Sequence, residues 1–183
     1  MIELTKTDQR LEAIQFLSKS MLPKDGRFHA GHIKVEEDGS AVSTDGSRLH
    51  WVNDIALEPG YYKVFKVTKT GALIDKVYEL DTDEGTFPDY IDILAIPEGE
   101  GETSFDTVLN SERASGSYTK VIRAMSSSTL EFSFINDLCS IFDDVFAVIV
   151  PKPEGNHNDD LETCRPVHFI KNGYHAVVMP KLI

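Results

Sequence analysis

Five side chains of metal-ligating types lie close together in the last third of the chain: His157, Asp159, Asp160, Cys164 and His168. Imidazole, thiolate and carboxylate are all zinc donors, but a closed zinc site needs four ligands at suitable spacings. The spacing here matches no zinc pattern, and residues 156–160 read as an exposed polar loop, so no metal is expected. His29, His32 and His50 fall on or near predicted strands and read as half-exposed strand residues rather than catalytic bases. Cys139 has Leu138 and Ile141 close by and reads as an inert core thiol. The sequence has no Gly-rich phosphate loop, no G-x-S-x-G and no H-E-x-x-H. With neither nucleophile, phosphate cradle nor metal set in view, the expectation is a non-enzymatic protein without a cofactor.

Three other segments carry more information. Ser43-Thr44-Asp45-Gly46-Ser47-Arg48-Leu49 sets a D-G turn between strands, with an arginine just beyond it. Phe87-Pro88-Asp89-Tyr90, followed by Ile91-Asp92-Ile93-Leu94, is an aromatic-rich connector. The chain closes on Val177-Val178-Met179-Pro180-Lys181-Leu182-Ile183. Taken singly, these are a hairpin turn, a loop plug and a buried last strand.

The elements that must position these segments follow from periodicity. Thr7-Asp8 reads as a helix N-cap, with Leu11, Ile14, Leu17 and Met21 at helical spacing behind it. Pro23, Asp25 and Gly26 stop that helix. Four short strands follow: Arg27 to Val35, Ala41 to Ser43, Arg48 to Ile55 and Tyr61 to Thr68, separated by turn residues. Between Glu79 and Glu112 lie eleven acidic residues and no Lys or Arg, a connector broken by one apolar piece, Phe87 to Pro97. A second helix is predicted, capped by Ser117 or an earlier Ser, with Tyr118, Val121, Ile122 and Met125 as its stripe. Strands are predicted at Thr129 to Ile135, Cys139 to Asp143 and Val145 to Val150. Arg165 to Lys171 and Tyr174 to Met179 then pair across Asn172-Gly173, the strongest hairpin signal in the chain.

Helix then antiparallel strands therefore occurs twice, an α+β pattern with helices on one face of the sheet. The expectation is a single domain over 1–183: one half about 6–68, the acidic connector about 79–112, the other half about 111–183. The 183 residues are enough for a core without staples, and 41% hydrophobic with 26% charged residues is ordinary for a globular chain. Two cysteines make no disulfide framework and suit a reducing cytoplasmic setting. No secretory signal and no apolar run of membrane-spanning length is visible. The formal net charge of −12 argues against indiscriminate coating of nucleic acid, but not against a local basic face.

In combination and in order, the three segments resemble the bacterial DNA polymerase III β sliding clamp. Members carry A-T-D-G-H-R-L, F-P-D-Y near V-L-P, and a terminal V-M-P-M-R-L. Here the same places read S-T-D-G-S-R-L, F-P-D-Y-I-D-I-L-A-I-P and V-V-M-P-K-L-I. The opening helix, the I-K-V-E-E-D-G-S-A-V-S-T-D-G run and the closing hairpin also look like clamp-domain elements. The resemblance implies a peptide-binding groove formed by Thr44, Gly46, Arg48, Leu49, Pro88, Val177, Val178, Met179, Pro180 and Leu182. Its occupants would be peptide motifs of DNA polymerase or clamp-loader-like proteins. It also implies helices facing duplex DNA, with phosphates met by Arg10, Lys19, Lys24, Arg27, Lys120 and Arg123.

The sequence departs from the pattern in several places. The usual turn His is Ser47, Ile91 and Asp92 stand where basic residues follow F-P-D-Y, and the last three residues are Lys181-Leu182-Ile183. Family chains have three domains and two chains close a ring; this chain holds about one and a half domains' worth of residues, so a one-domain version would need six copies. The function implied is a non-enzymatic accessory of DNA replication or repair, from a bacterium or phage, that tethers partner proteins to DNA. The alternative is a clamp-derived interaction module that does not encircle DNA.

Overall fold

The computed structural model describes residues 1–22, 29–77, 87–95, 130–141, 147–149 and 166–179. The chain divides into two compact units, Met1–Asp89 and Tyr90–Ile183.

The first unit contains β1 (Ile2–Thr5), α1 (Arg10–Ser18), a 3-10 turn (His29–Gly31), β2 (His32–Val35), β3 (Ala41–Thr44), β4 (Arg48–Val52), β5 (Gly60–Thr68) and β6 (Gly71–Val77). The strands pair antiparallel in the order β1-β6-β5-β2-β3-β4. Leu11, Ala13, Ile14, Phe16 and Leu17 give α1 a broad buried stripe. The expected cap differs in detail: Gln9 holds the N-cap position, while Asp8 Oδ1 accepts the Arg10 backbone N–H at 3.0 Å. The helix stops at Ser18, short of Met21, which is nevertheless buried.

One sheet face packs on α1. Ser43 Oγ donates to the Leu17 carbonyl at 2.7 Å and lies 2.6 Å from Ser20 Oγ. His50 stacks on Phe16 with centroids 4.3 Å apart, and its Nδ1 hydrogen-bonds the Phe16 carbonyl at 2.6 Å. His50 is thus fully buried rather than half-exposed. Strand alternation puts Leu4, Ile33, Val35, Tyr62 and Ile74 on this same face, all 2% exposed or less.

Two of these strands were not apparent in the sequence reading. β1 and β6 pair through Ile2↔Ile74 and Leu4↔Ala72, and both lie outside the expected 6–68 half. β5 matches its expected span within one residue but carries a bulge: Val64 pairs with Ile74 and Lys66 with Leu73, leaving Phe65 as the extra residue. Phe65, expected among that strand's apolar members, is 53% exposed.

The second unit contains a single turn of helix, α2 (Ile91–Leu94), then α3 (Phe132–Cys139), β7 (Ala147–Ile149), β8 (Val167–Lys171) and β9 (Tyr174–Val178). Its strands are antiparallel in the order β9-β8-β7. The hairpin across Asn172-Gly173 is present, with φ of 33° and 86°, the positive pair that a type I′ turn requires. α3 corrects the predicted strand over Thr129 to Ile135 and the start of that over Cys139 to Asp143. Ile135 and Leu138 are buried whereas Ser133 and Asn136 are exposed, a three-residue apolar step that fits a helix and not the two-residue step of a strand. The helix predicted over 117–125 lies outside the described residues.

Candidate functional site

The D-G turn is built by its own polar groups. Gly46 sits at φ 87°, where a side chain would be strained. Asp45 Oδ1 accepts the backbone N–H of Ser47 at 2.9 Å and of Arg48 at 3.0 Å. Asp45 Oδ2 accepts Arg48 Nε at 3.0 Å, and both side chains of this ion pair are under 10% exposed. Thr44 Oγ1 donates to the Arg48 carbonyl at 2.8 Å and receives Gly46 N–H at 3.1 Å. Thr44 and Leu49 are buried. Arg48 therefore braces the turn, its Nε committed to Asp45 rather than extended toward solvent.

The Phe-Pro-Asp-Tyr segment divides at the boundary between units. Phe87 lies in the first unit, its ring 6.5 Å from that of Tyr61, with Lys34 Nζ 5.8 Å above it. Pro88 is exposed. In the second unit Tyr90 is buried and its carbonyl accepts the Leu94 N–H at 3.1 Å, starting α2, which packs against β9. Ile91 and Ile93 on that turn are exposed apolar side chains. Along β9, Val177 and Val178 are both buried, and the chain first opens to solvent at Met179, 39% exposed. Among the groove residues, then, Val177, Val178, Thr44 and Leu49 are interior, and Pro88 and Met179 are open. Pro180 and Leu182 lie outside the described residues.

Of the six cations assigned to DNA, two are described. Arg10 is held in a forked pair with Asp8, Nε to Oδ1 at 2.9 Å and Nη2 to Oδ2 at 2.7 Å. That hydrogen-bonded pairing holds the Asp8 carboxyl down at about 2 and raises Arg10 further. Lys19 is half-buried just after α1. Lys24, Arg27, Lys120 and Arg123 lie outside the described residues, as do His157, Asp159, Asp160 and Cys164.

Among the described residues no group of three or more His, Cys, Asp or Glu side chains converges on a point. His168 instead pairs with His175, Nδ1 to Nε2 at 2.9 Å, diagonally across the β8–β9 hairpin. Burial pushes both imidazoles down to about 4, with the proximity of His168 adding to the effect on His175. The sequence signal for this pair was the strand alternation on either side of Asn172-Gly173, which puts residues 168 and 175 on one face. Among the described residues no helix is long and apolar enough to cross a membrane.

No protein-family model and no curated protein matches this sequence. Solved structures do match, along the whole chain. DNA polymerase III subunit beta from Pseudomonas aeruginosa aligns at TM-score 0.53 and 13% identity, covering 100% of this chain and 66% of that one. The Borrelia burgdorferi subunit, solved with a natural product, aligns at TM-score 0.57 and 11% identity, covering 100% of this chain and 62% of that one. The Helicobacter pylori β clamp bound to a DNA ligase peptide aligns at TM-score 0.55 and 11% identity, covering 99% and 66%. This chain has a clamp-like fold. It spans slightly less than two thirds of the clamps it matches.

Proposed function

We propose that the protein is a non-enzymatic, clamp-like accessory of DNA replication or repair that tethers partner proteins to duplex DNA. The observation that carries this reading is the whole-chain likeness to β clamps, reached independently of the three motifs that share their order with that family. A relative of the same fold captures a DNA ligase peptide, so short peptides are the partner class expected here.

In this reading the apolar groove residues are those the resemblance names: Leu49, Pro88, Val177, Val178, Met179, Pro180 and Leu182. Thr44, Gly46 and Arg48, which the resemblance also names, hold the D-G turn. The phosphates are met by Lys19, Lys24, Arg27, Lys120 and Arg123; Arg10, neutralised by Asp8, contributes least. Such contacts are sequence-independent and salt-sensitive. Two compact units and about two thirds of a β chain per copy make three copies, not six, the number that equals the content of a closed clamp ring.

The test joins solution mass to DNA binding by the full chain. A ring-sized oligomer that binds duplex DNA at low salt, with affinity lowered equally for all sequences by Lys120→Glu with Arg123→Glu, is expected. A monomer that fails to bind duplex DNA at low salt overturns the tethering role.

A further inference from the structure

The sheet face turned away from α1 carries a band in which aromatic rings and cations alternate along β5. Tyr62 and Val64 point with the core, so Tyr61 and Lys63 point outward, opposite Lys34 and His32 of β2. In an unbroken strand Lys66 would fall on the other face from Lys63, because side chains alternate with a period of two. The bulge at Phe65 resets that alternation. Lys66 pairs with Leu73, next to inward-facing Ile74, so Lys63 and Lys66 share the outward face with Phe65 between them.

Phe65 is 53% exposed, and Lys63 Nζ lies 5.8 Å from its ring centroid. Lys69 follows in the β5–β6 turn, exposed. Lys66 and Lys69 have no carboxylate partner among the described residues. At the other end of the band, Lys34 sits over Phe87 beside Tyr61. Among the described residues the carboxylates on this face are few: Asp75, opposite Lys63, is 2.6 Å from the Met1 ammonium, Glu3 stands beside Leu73, and Glu36 pairs with Lys34 at 2.7 Å. In a chain of net charge −12, the described residues here make a locally cationic surface.

We propose that this band binds single-stranded nucleic acid, with a base stacked on Phe65 and phosphates held by Lys63, Lys66 and Lys69. A single strand supplies both chemistries the band presents, an aromatic face and a regularly charged backbone. An acidic peptide would satisfy the lysines but leave the exposed ring unused, and Phe65 stands up as a platform between two cations rather than lining an apolar pocket. Lysines act on phosphate as point charges and read no base edges, so the site tolerates any sequence. The inference goes beyond the duplex-tethering reading and uses the opposite face of the sheet from α1.

The test is fluorescence anisotropy of the full chain with a labelled oligothymidylate, a labelled duplex and a labelled polyglutamate. Phe65→Ala is expected to weaken oligothymidylate binding about 5- to 150-fold, the range seen for losing one base-stacking ring, with an unchanged melting temperature. Lys63→Glu with Lys66→Glu should weaken it further and flatten the salt dependence by about 1.4 in log–log slope, two single-strand phosphate contacts. Duplex binding by Phe65→Ala should match the parent, which separates this site from the tethering role. Oligothymidylate binding unchanged in Phe65→Ala, or absent from the parent at low salt, overturns the proposal. So does polyglutamate bound as tightly as oligothymidylate and lost with the lysines alone, which would make the band an acidic-peptide site.

Discussion

β5 and β9 are both paired antiparallel strands, yet they solve opposite problems. β9 runs His175, Ala176, Val177 and Val178 without one exposed side chain, so both of its faces are interior. β5 buries Tyr62 and exposes Lys63, Phe65 and Lys66, so only one of its faces belongs to the core. A strand buried on both faces has no freedom to carry function in its side chains, because each of them is already a packing element. A one-sided strand can spend its outer row on recognition, and a bulge can re-aim that row at no cost to the core. Of the described groove residues, Thr44, Leu49, Val177 and Val178 thus fall on interior positions, while Gly46, Pro88 and Met179 are open.

The largest effect expected from this contrast is on stability. Val178 is fully buried, so Val178→Asp places an unpaired carboxylate in an apolar interior and should cost more than about 4 kcal/mol. Lys66→Asp on β5 introduces the same group on an exposed position and should change stability by no more than about 0.5 kcal/mol. Urea unfolding of the two variants checks the difference, and equal losses would dissolve the distinction between the strands.

The His168–His175 pair sharpens the same contrast through pH. Both imidazoles are held down to about 4, below the ordinary 6.5, because burial disfavours the cation. Above pH 6.5 both the folded and the unfolded chain keep them neutral, so stability is undiminished there. As pH falls from 6.5 toward 4 the unfolded chain takes up protons that the folded hairpin refuses, and stability drops. The loss should be on the order of 3 kcal/mol per imidazole at its limit. Denaturant midpoints measured from pH 7.5 down to 4.5 should show this fall, and His175→Gln should flatten it.

A smaller acid effect belongs to the first unit. Asp8, held at about 2 by Arg10, favours the folded state fully above its ordinary 3.8 and loses that contribution as pH drops through 2. The pair is partly solvent-screened, with side chains 30% and 20% exposed, so Asp8→Asn should cost no more than about 1 kcal/mol at neutral pH. A larger loss would mean that the pair anchors α1.

The sequence announced the parts of this fold that depend on local chemistry. Asp45-Gly46 and Asn172-Gly173 demand positive φ, and the flanking strands followed with nearly correct bounds. What it concealed depends on partners distant in the chain. β1 and β6 are short, mixed segments that become strands through each other, Leu4 against Ala72. The bulge at Phe65 is set by register against β6, which no property of Gly60–Thr68 alone specifies. Phe132 and Phe134 suit a strand by propensity, and only the burial of Ile135 and Leu138 three apart marks the segment as helix. For the candidate site, residue types were legible but burial was not: Thr44, Leu49, Val177 and Val178 look like groove walls in a motif and are core in the molecule.

Met179 tests what is left of the groove. It is the first residue after β9 to reach solvent, 39% exposed where Val178 is closed off, so the step from core to surface occurs within one residue. A methionine there is suited to a peptide surface, since its flexible thioether adapts to varied aliphatic and aromatic anchors. Met179→Glu should therefore leave stability almost unchanged, within about 0.5 kcal/mol, because a carboxylate at that position keeps its hydration. Binding of a short aliphatic–aromatic peptide should nevertheless be lost, because the charge would have to be desolvated beneath an apolar anchor. Thermal melting beside peptide titration separates the outcomes. Lost capture with an unchanged melting temperature assigns Met179 to the groove. A melting temperature that collapses as it does for Val178→Asp would move Met179 into the core with its neighbour, and intact capture would locate the peptide site elsewhere on the chain.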